Sequence, residues 1–341
     1  MRAASHPHAA LAAFMACAFG GAAGSHVAEQ SIAPNLQYDF TTHATSLNEA
    51  LLHGYDKFVP PRSQRRNASE SGSLAGTDVE VQLRFYKVAS VHTAEGSLSM
   101  QTWMRLRWQD DRLAWDPALY GGITRTRFLA VGINKPEETN IWVPDLTIYN
   151  LASPLNDVMS GQLAEVDSNG TVFWSRPGVL DILCRFSGLV AFPFDTLQCT
   201  MEMGGWMMSD ALQGLSYFPV EEGGSFVLAW DSRKSKEETT GPAYHEYRIS
   251  EITSSVQAYA WDTGPDHYTI LRYTINLGRV QIYYMMLVII PCILLTCFSF
   301  AVFWLKPAVG ERLGYGITLI LATEVFKLVI DEVVPVRIRA S

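Results

Sequence analysis

From Val280 to Leu305 the sequence carries no charged residue, and most of that stretch reads IYYMMLVIIPCILLTCFSFAVFWL. Such a run is long and apolar enough to span a bilayer. Pro291 lies mid-span, where a membrane helix tolerates it because neighbouring groups satisfy the freed carbonyl. A polar link, KPAVGER, leads to LGYGITLILATEVFKLVIDEVVP, which is long enough to cross again but carries Glu324, Lys327, Asp331 and Glu332. A helix that polar does not face lipid all round; it is expected to line water or to pack among other helices. Residues 279–341 therefore read as a membrane region with helices over about 280–305 and 312–334.

The other end reads as a secretory signal over 1–24. Arg2 supplies the positive segment, and ALAAFMACAFGGAAG supplies an apolar run followed by small residues suited to cleavage. Its removal takes Cys17 away and leaves Cys184, Cys199, Cys292 and Cys297. The last two lie in the apolar run. The first two lie in polar sequence, and in a secreted chain that pair is most simply a disulfide. Sequons at Asn67 and Asn169 suit extracellular exposure and mark candidate glycosylation sites. The net charge of −8 argues against a nucleic-acid partner, as does the lack of a basic stripe with interleaved aromatics.

Between these ends, residues 25–278 read mostly as β structure after one helix, SLNEALLHGYDKF. Ser46 and Glu49 predict a capping box at its start, with Leu47, Leu51, Tyr55 and Phe58 on one face. VEVQLRF then alternates, with Val79, Val81, Leu83 and Phe85 on one side. MQTWMRLRW alternates too, and it places Trp103 with Gln101, Arg105 and Arg107 on the polar side. Many short strands separated by turns such as DSNG and EEGG predict a mainly β, immunoglobulin-like sandwich. No His-Glu-x-x-His, phosphate loop, nucleophile elbow or dinucleotide fingerprint occurs, and the two polar cysteines are too far apart for a C-x-x-C redox pair. No enzyme, cofactor or metal site is expected.

Eight motifs in a fixed order carry a family likeness. They are LLHGYDKFVPP (51–61), WMRLRWQDDRLAWDPALYGG (103–122), IWVPDLTIYN (141–150), DSNGTVFWSRP (167–177), CRFSGLVAFPFDTLQC (184–199), GGW (204–206), IIPC (289–292) and GER (310–312). Over about residues 45 to 336 the chain resembles the pentameric ligand-gated ion channels, or Cys-loop receptors, and most closely their cation-selective, nicotinic-like branch. It departs from them in three ways. The loop encloses 14 residues, where the family usually encloses 13. The adjacent cysteine pair of acetylcholine-binding subunits is missing near Tyr259 to Tyr268. Two membrane helices stand where the family carries four, which reads as a truncated form.

The resemblance implies a multi-pass plasma-membrane protein with its N-terminal domain outside the cell, assembled as a pentamer of like or related subunits. A small cationic, amine-like agonist is expected in an aromatic box. Tyr149, Trp206 and Tyr268 supply the principal side, with Tyr259 or Trp261 as an addition, and Trp103 comes from the next subunit. Aromatic faces attract such cations, and the outward parity of Trp103 suits the role. Trp206 is expected to share the parity of Thr200 and Glu202.

Spacing of i, i+4 and i+7 on the second span gives the stripe Gly314, Thr318, Leu321, Val325 and Val329, ending near Glu332. Leu321 and Val325 are expected to form apolar gating rings, and Glu311 a carboxylate ring favouring cations. The permeant ions are expected to be monovalent cations, with calcium a further candidate. The family further implies that Phe192, Pro193, Phe194 and Asp195 couple the domains, Asp195 meeting a cation such as Arg279. The remaining alternatives are a membrane-anchored β-sandwich binding module and a non-conducting fragment of such a receptor.

Overall fold

A computed structural model describes residues 34–61, 76–93, 95–186, 194–228, 247–260, 267–306 and 310–333. The signal segment, Asn67, Phe192, Pro193 and Trp261 lie outside the described residues, as do the side chains of Val329 and Glu332.

A helix, α1 (Pro34–Leu52), leads into two packed sheets. The larger contains β1 (Thr77–His92), β2 (Ser97–Gln109), β3 (Arg125–Ala130), β5 (Gln162–Asp167), β6 (Thr171–Leu183), β8 (Gln213–Tyr217) and β9 (Phe226–Leu228). Its order is β3-β5-β6-β2-β1-β8, with β9 also on β1. The smaller contains β4 (Thr147–Ile148), β7 (Thr196–Gly204), β10 (Tyr247–Ala260) and β11 (His267–Arg279), ordered β10-β11-β7-β4. A short helix, α2 (Leu155–Val158), lies between β4 and β5.

The alternation in the sequence is the cause of the sandwich. On β1 and β2 the predicted apolar sets are buried, and Met104, Leu83 and Val81 have no exposed surface at all. They meet Met201, Met203, Leu271, Ile275 and Leu277 of the smaller sheet in one core.

The first helix differs from expectation. It begins at Pro34, so Ser46 and Glu49 lie inside it and form no capping box. A box is one local solution among several, and inside a helix the same residue types bond back along the turn, as Thr45 does to the Thr41 carbonyl. Leu47 and Leu51 are buried as expected, but the helix stops at Leu52 and Gly54 turns left-handed with φ 73°. Phe58 therefore leaves the helical face and is exposed. Tyr55 donates its hydroxyl to Asp110 at 2.7 Å, tying the chain after α1 to the end of β2.

The chain passes from β11 into a helical run made of α3 (Gln281–Tyr284), a π-helical stretch (Met285–Ile289), α4 (Ile290–Phe300) and a 3-10 turn (Ala301–Trp304). Pro291 explains the widened stretch before it. Its ring cannot donate and crowds the carbonyl four residues back, so the preceding turn opens. Met285–Trp304 is the single span among the described residues long and apolar enough to cross a membrane. A second helix, α5 (Glu311–Val333), packs back against α4.

Candidate ligand site and coupling junction

Strands β7 and β11 run side by side from Thr196–Gly278 at one end to Met203–Leu271 at the other. The far end carries aromatics, and the end next to the helices carries the disulfide and an ion pair.

At the far end β7 stops at Gly204, so Trp206 is presented by a loop and the parity expected for it does not apply. Asp145, 5% exposed, sets that loop. Its Oδ2 accepts the backbone N–H groups of Trp206 (3.0 Å), Met207 (2.6 Å) and Met208 (3.0 Å). Gln213 fixes Asp145 in turn: its Oε1 accepts the Asp145 N–H and its Nε2 donates to the Asp145 carbonyl, both at 2.8 Å. With the backbone held this way, the Trp206 indole projects outward, 64% exposed.

Tyr149 follows β4 and donates its hydroxyl to the Gly205 carbonyl at 2.8 Å. Its ring centroid lies 6.4 Å from that of Trp206. A Cβ at position 204 would collide with the Tyr149 hydroxyl, which is why a glycine precedes Gly205-Trp206. Burial first, and then the charges and dipoles of Asp145, Tyr268 and Glu202, raise the Tyr149 pKa, so the hydroxyl stays a donor at neutral pH.

Tyr259 and Tyr268 face each other directly across the β10–β11 ladder. Asp210 pins this hairpin. Its Oδ1 accepts the Thr269 N–H (2.8 Å), its Oδ2 accepts the Thr269 hydroxyl (3.0 Å), and its own N–H donates to the His267 carbonyl (2.9 Å). The fold thus brings Tyr149, Trp206 and Tyr268 to one end of the smaller sheet, with Tyr259 on the adjoining edge strand. It does not bring Trp103 to them. Trp103 lies mid-strand on β2 of the larger sheet, on the outer face, its ring 4.4 Å from that of Tyr86.

At the other end a disulfide joins Cys184, just after β6 of the larger sheet, to Cys199 in β7 of the smaller, with 5.1 Å between Cα atoms. It therefore staples sheet to sheet. Beside it, Asp195 and Arg279 pair bidentately: Nε donates to Oδ1 at 2.7 Å and the second guanidinium nitrogen to Oδ2 at 3.0 Å. Both side chains are buried, 0% and 1% exposed. Arg279 also donates to the Tyr284 hydroxyl at 2.6 Å, and the rings of Tyr247 and Tyr284 lie with their centroids each 4.7 Å from the guanidinium. Burial works against this charge, but the hydrogen bonds to Asp195 outweigh it and hold the Arg279 pKa above its ordinary value. Phe194, next in the loop, is 60% exposed.

In the helices, Glu311 sits exposed in the first turn of α5, and Gly314, Thr318, Leu321 and Val325 are exposed along it. Thr318, Leu321 and Val325 border an apolar groove shared with Pro291, Leu294 and Phe298 of the first helical run. Val329 and Glu332 fall further along the same helix. Glu324 and Lys327 pair with each other at 2.6 Å. Asn169 is exposed at the turn between β5 and β6.

Residues 44–280 match the Neurotransmitter-gated ion-channel ligand binding domain, and residues 288–337 match the Neurotransmitter-gated ion-channel transmembrane region. The chain belongs to the neurotransmitter-gated ion-channel family. Among curated relatives, the human neuronal acetylcholine receptor subunit alpha-2 is 28% identical over 285 residues, covering 84% of this chain and 48% of its own length. The acetylcholine receptor subunit alpha-L1 of Schistocerca gregaria is 25% identical over 295 residues, covering 86% and 48%. The acetylcholine receptor subunit beta-like 1 of Drosophila melanogaster is 25% identical over 285 residues, covering 84% and 49%. The chain spans about half the length of the curated relatives it matches. This places it in the nicotinic-like branch, a family of plasma-membrane channels with an extracellular N-terminal domain and no enzymatic role.

Asp145, Gln213 and Asp210 position the aromatic end of this neurotransmitter-gated channel chain, and sequence reasoning did not find them. Asp145 closes the motif WVPD, but only the fold shows that it serves a loop 61 residues away. Tyr247 and Tyr284 are likewise set around Arg279 by the meeting of β10, β11 and α3.

Proposed function

We propose that this protein is a subunit of an extracellular ligand-gated, cation-selective channel that assembles as a pentamer of like or related copies. The observation that carries this reading is the aromatic cluster of Tyr149, Trp206 and Tyr268, held by buried backbone contacts yet open to solvent, with Trp103 set apart on the other sheet. In a ring of copies the principal cluster of one meets Trp103 of the next, and a small amine sits between them with Tyr259 at the rim. Each ring face contributes about 0.5–2 kcal/mol of cation–π attraction.

Binding biases a closed–open equilibrium through its differential affinity for the two states. The motion passes along β7 and β11 to the disulfide-stapled loop and Arg279. The pore is lined by α5: Glu311 at the inner mouth, Gly314 and Thr318 above it, Leu321 and Val325 as dewetting rings, then Val329 and Glu332. Monovalent cations, and calcium with them, are drawn by the Glu311 carboxylates.

The test is voltage clamp of the full-length subunit in oocytes, screened with small amines. Trp206→Ala is expected to raise the half-maximal concentration about tenfold or more; a normal response removes Trp206 from the site. Glu311→Ala is expected to shift reversal potentials away from cation selectivity; unchanged selectivity sinks the pore assignment.

A further inference from the structure

Trp206 and Met207 stand side by side on the loop after β7, and both are exposed, at 64% and 76%. Asp145 takes their backbone N–H groups on one carboxylate oxygen, at 3.0 and 2.6 Å, so the backbone at 207 is fixed while its thioether is free. Two adjacent apolar side chains held in solvent mark a contact surface, and in the proposed ring this loop faces the next copy. The other methionines are placed differently. Met100, Met104, Met159, Met201 and Met203 are buried in the sandwich. Met208 is half-buried beside Ile141, Trp142 and Val143. Among the described residues ahead of the helical run, Met207 is the one exposed methionine.

We propose that Met207 is an oxidation site through which extracellular hydrogen peroxide regulates the agonist site. The sulfur lone pair attacks one peroxide oxygen, and an S–O bond forms as the O–O bond breaks. The other oxygen leaves as water, carrying the proton of the first, and sulfur gives two electrons to the peroxide. The sulfoxide is polar, accepts hydrogen bonds that the thioether accepted only weakly, and is costly to desolvate at a contact between copies. Asp145 fixes the backbone through 206–208, so the change is delivered beside Trp206 and is not absorbed by the loop. The inference rests on the proposed interface site and names a regulation of it.

Two readouts test it on full-length channels at the oocyte surface. Channels are exposed to graded hydrogen peroxide, recovered by surface labelling, and sequenced as peptides by mass spectrometry. Met207 is expected to become the sulfoxide first, Met208 later, and Met201 and Met203 to stay intact. In parallel, voltage clamp follows the response to tetramethylammonium and butylamine. Peroxide is expected to raise the half-maximal amine concentration about fivefold or more. Met207→Gln, which places a polar acceptor of similar length there, should show that loss without peroxide. Met207→Leu should respond at a concentration of its own that peroxide no longer moves.

If Met207 stays a thioether while Met208 or the core methionines oxidise, the site assignment falls. If Met207 oxidises and amine potency does not move, or if Met207→Leu shifts with peroxide as much as the native channel, the regulation falls and the receptor reading stands. The second result would place the sensitive group elsewhere, with the free thiols of Cys292 and Cys297 as the next to replace. Silence to both amines from untreated, surface-labelled channels overturns the receptor reading and the regulation with it, and the peptide measurement still decides whether Met207 is the oxidation site.

Discussion

The two ends of the β7–β11 pair are built on opposite principles. The far end holds its backbone and leaves its side chains open: Asp145 takes three N–H groups so that Trp206 can stand 64% exposed. The end next to the helices closes everything: Asp195 and Arg279 are buried against each other between two tyrosine rings, and a disulfide crosses the sheets beside them. A site that receives a ligand needs accessible surface at a fixed position. A junction that passes force needs contacts that do not slip. One pair of strands joins the two, so in the proposed receptor a shift of the hairpin carrying Tyr268 reaches Arg279 without leaving β11.

The largest effect is expected at the closed end. Asp195→Asn leaves a buried guanidinium without its counter-charge and should cost about 3–5 kcal/mol, read as loss of surface expression or a collapsed melting temperature. The double variant Asp195→Leu/Arg279→Met should recover much of that loss; if it is as damaging as the single change, the pair is not the source of the cost. Replacing both Cys184 and Cys199 by Ser removes a cross-link of sequence separation 15, worth about 3 kcal/mol in the chain-entropy model. Equal melting temperatures with and without reductant would contradict that staple.

The open end should respond in function more than in stability. Asp145→Ala frees the loop of residues 206–208 and strands three donors, so potency should fall about tenfold or more while surface expression holds up better than in Asp195→Asn. Intact potency would show that Trp206 needs no such anchor. Tyr149→Phe, which removes a single neutral hydrogen bond to Gly205, should cost about 0.5–1.5 kcal/mol and shift concentration–response curves less than tenfold.

Tyr273 lies on β11 between the two ends, completely buried, and burial holds its pKa well above the ordinary tyrosine value. The unfolded chain releases this proton near pH 10 while the folded chain keeps it, so the stabilisation is present below about pH 10 and is lost as pH rises beyond it. Thermal melts should steepen their decline there, and Tyr273→Phe should flatten it; an unchanged profile would place the alkaline sensitivity elsewhere.

How much of this was legible in the sequence follows the same division. Strand alternation named the buried faces of β1 and β2 residue by residue, because a pleated strand with one wet face enforces a period of two. It also set Trp103 outward, where the fold has it. The first apolar span was legible from its lack of charge, and the structure has Met285–Trp304 as a helical run long and apolar enough to cross a membrane. The start of α1 was not, since Ser46 and Glu49 satisfy a capping rule that the longer helix overrides. Trp206 was misjudged for a related reason: the parity argument assumed a strand through two glycines, whereas Gly204 ends β7 to make room for Tyr149. The supporting polar residues Asp145, Gln213 and Asp210 act across long sequence separations, and no local pattern announces them.

The account turns on the claim that the two aromatic half-sites belong to different copies and work only together. Co-assembly tests it directly. Trp206→Ala subunits and Trp103→Ala subunits are expressed separately and then mixed in oocytes at matched surface levels. Each variant alone should lose agonist sensitivity, because every interface lacks one half. The mixture should regain responses at wild-type agonist concentrations, because some interfaces then pair an intact Tyr149–Trp206–Tyr268 cluster with an intact Trp103. If the mixture stays as insensitive as its parents, or if Trp103→Ala alone responds normally, the interface account is wrong.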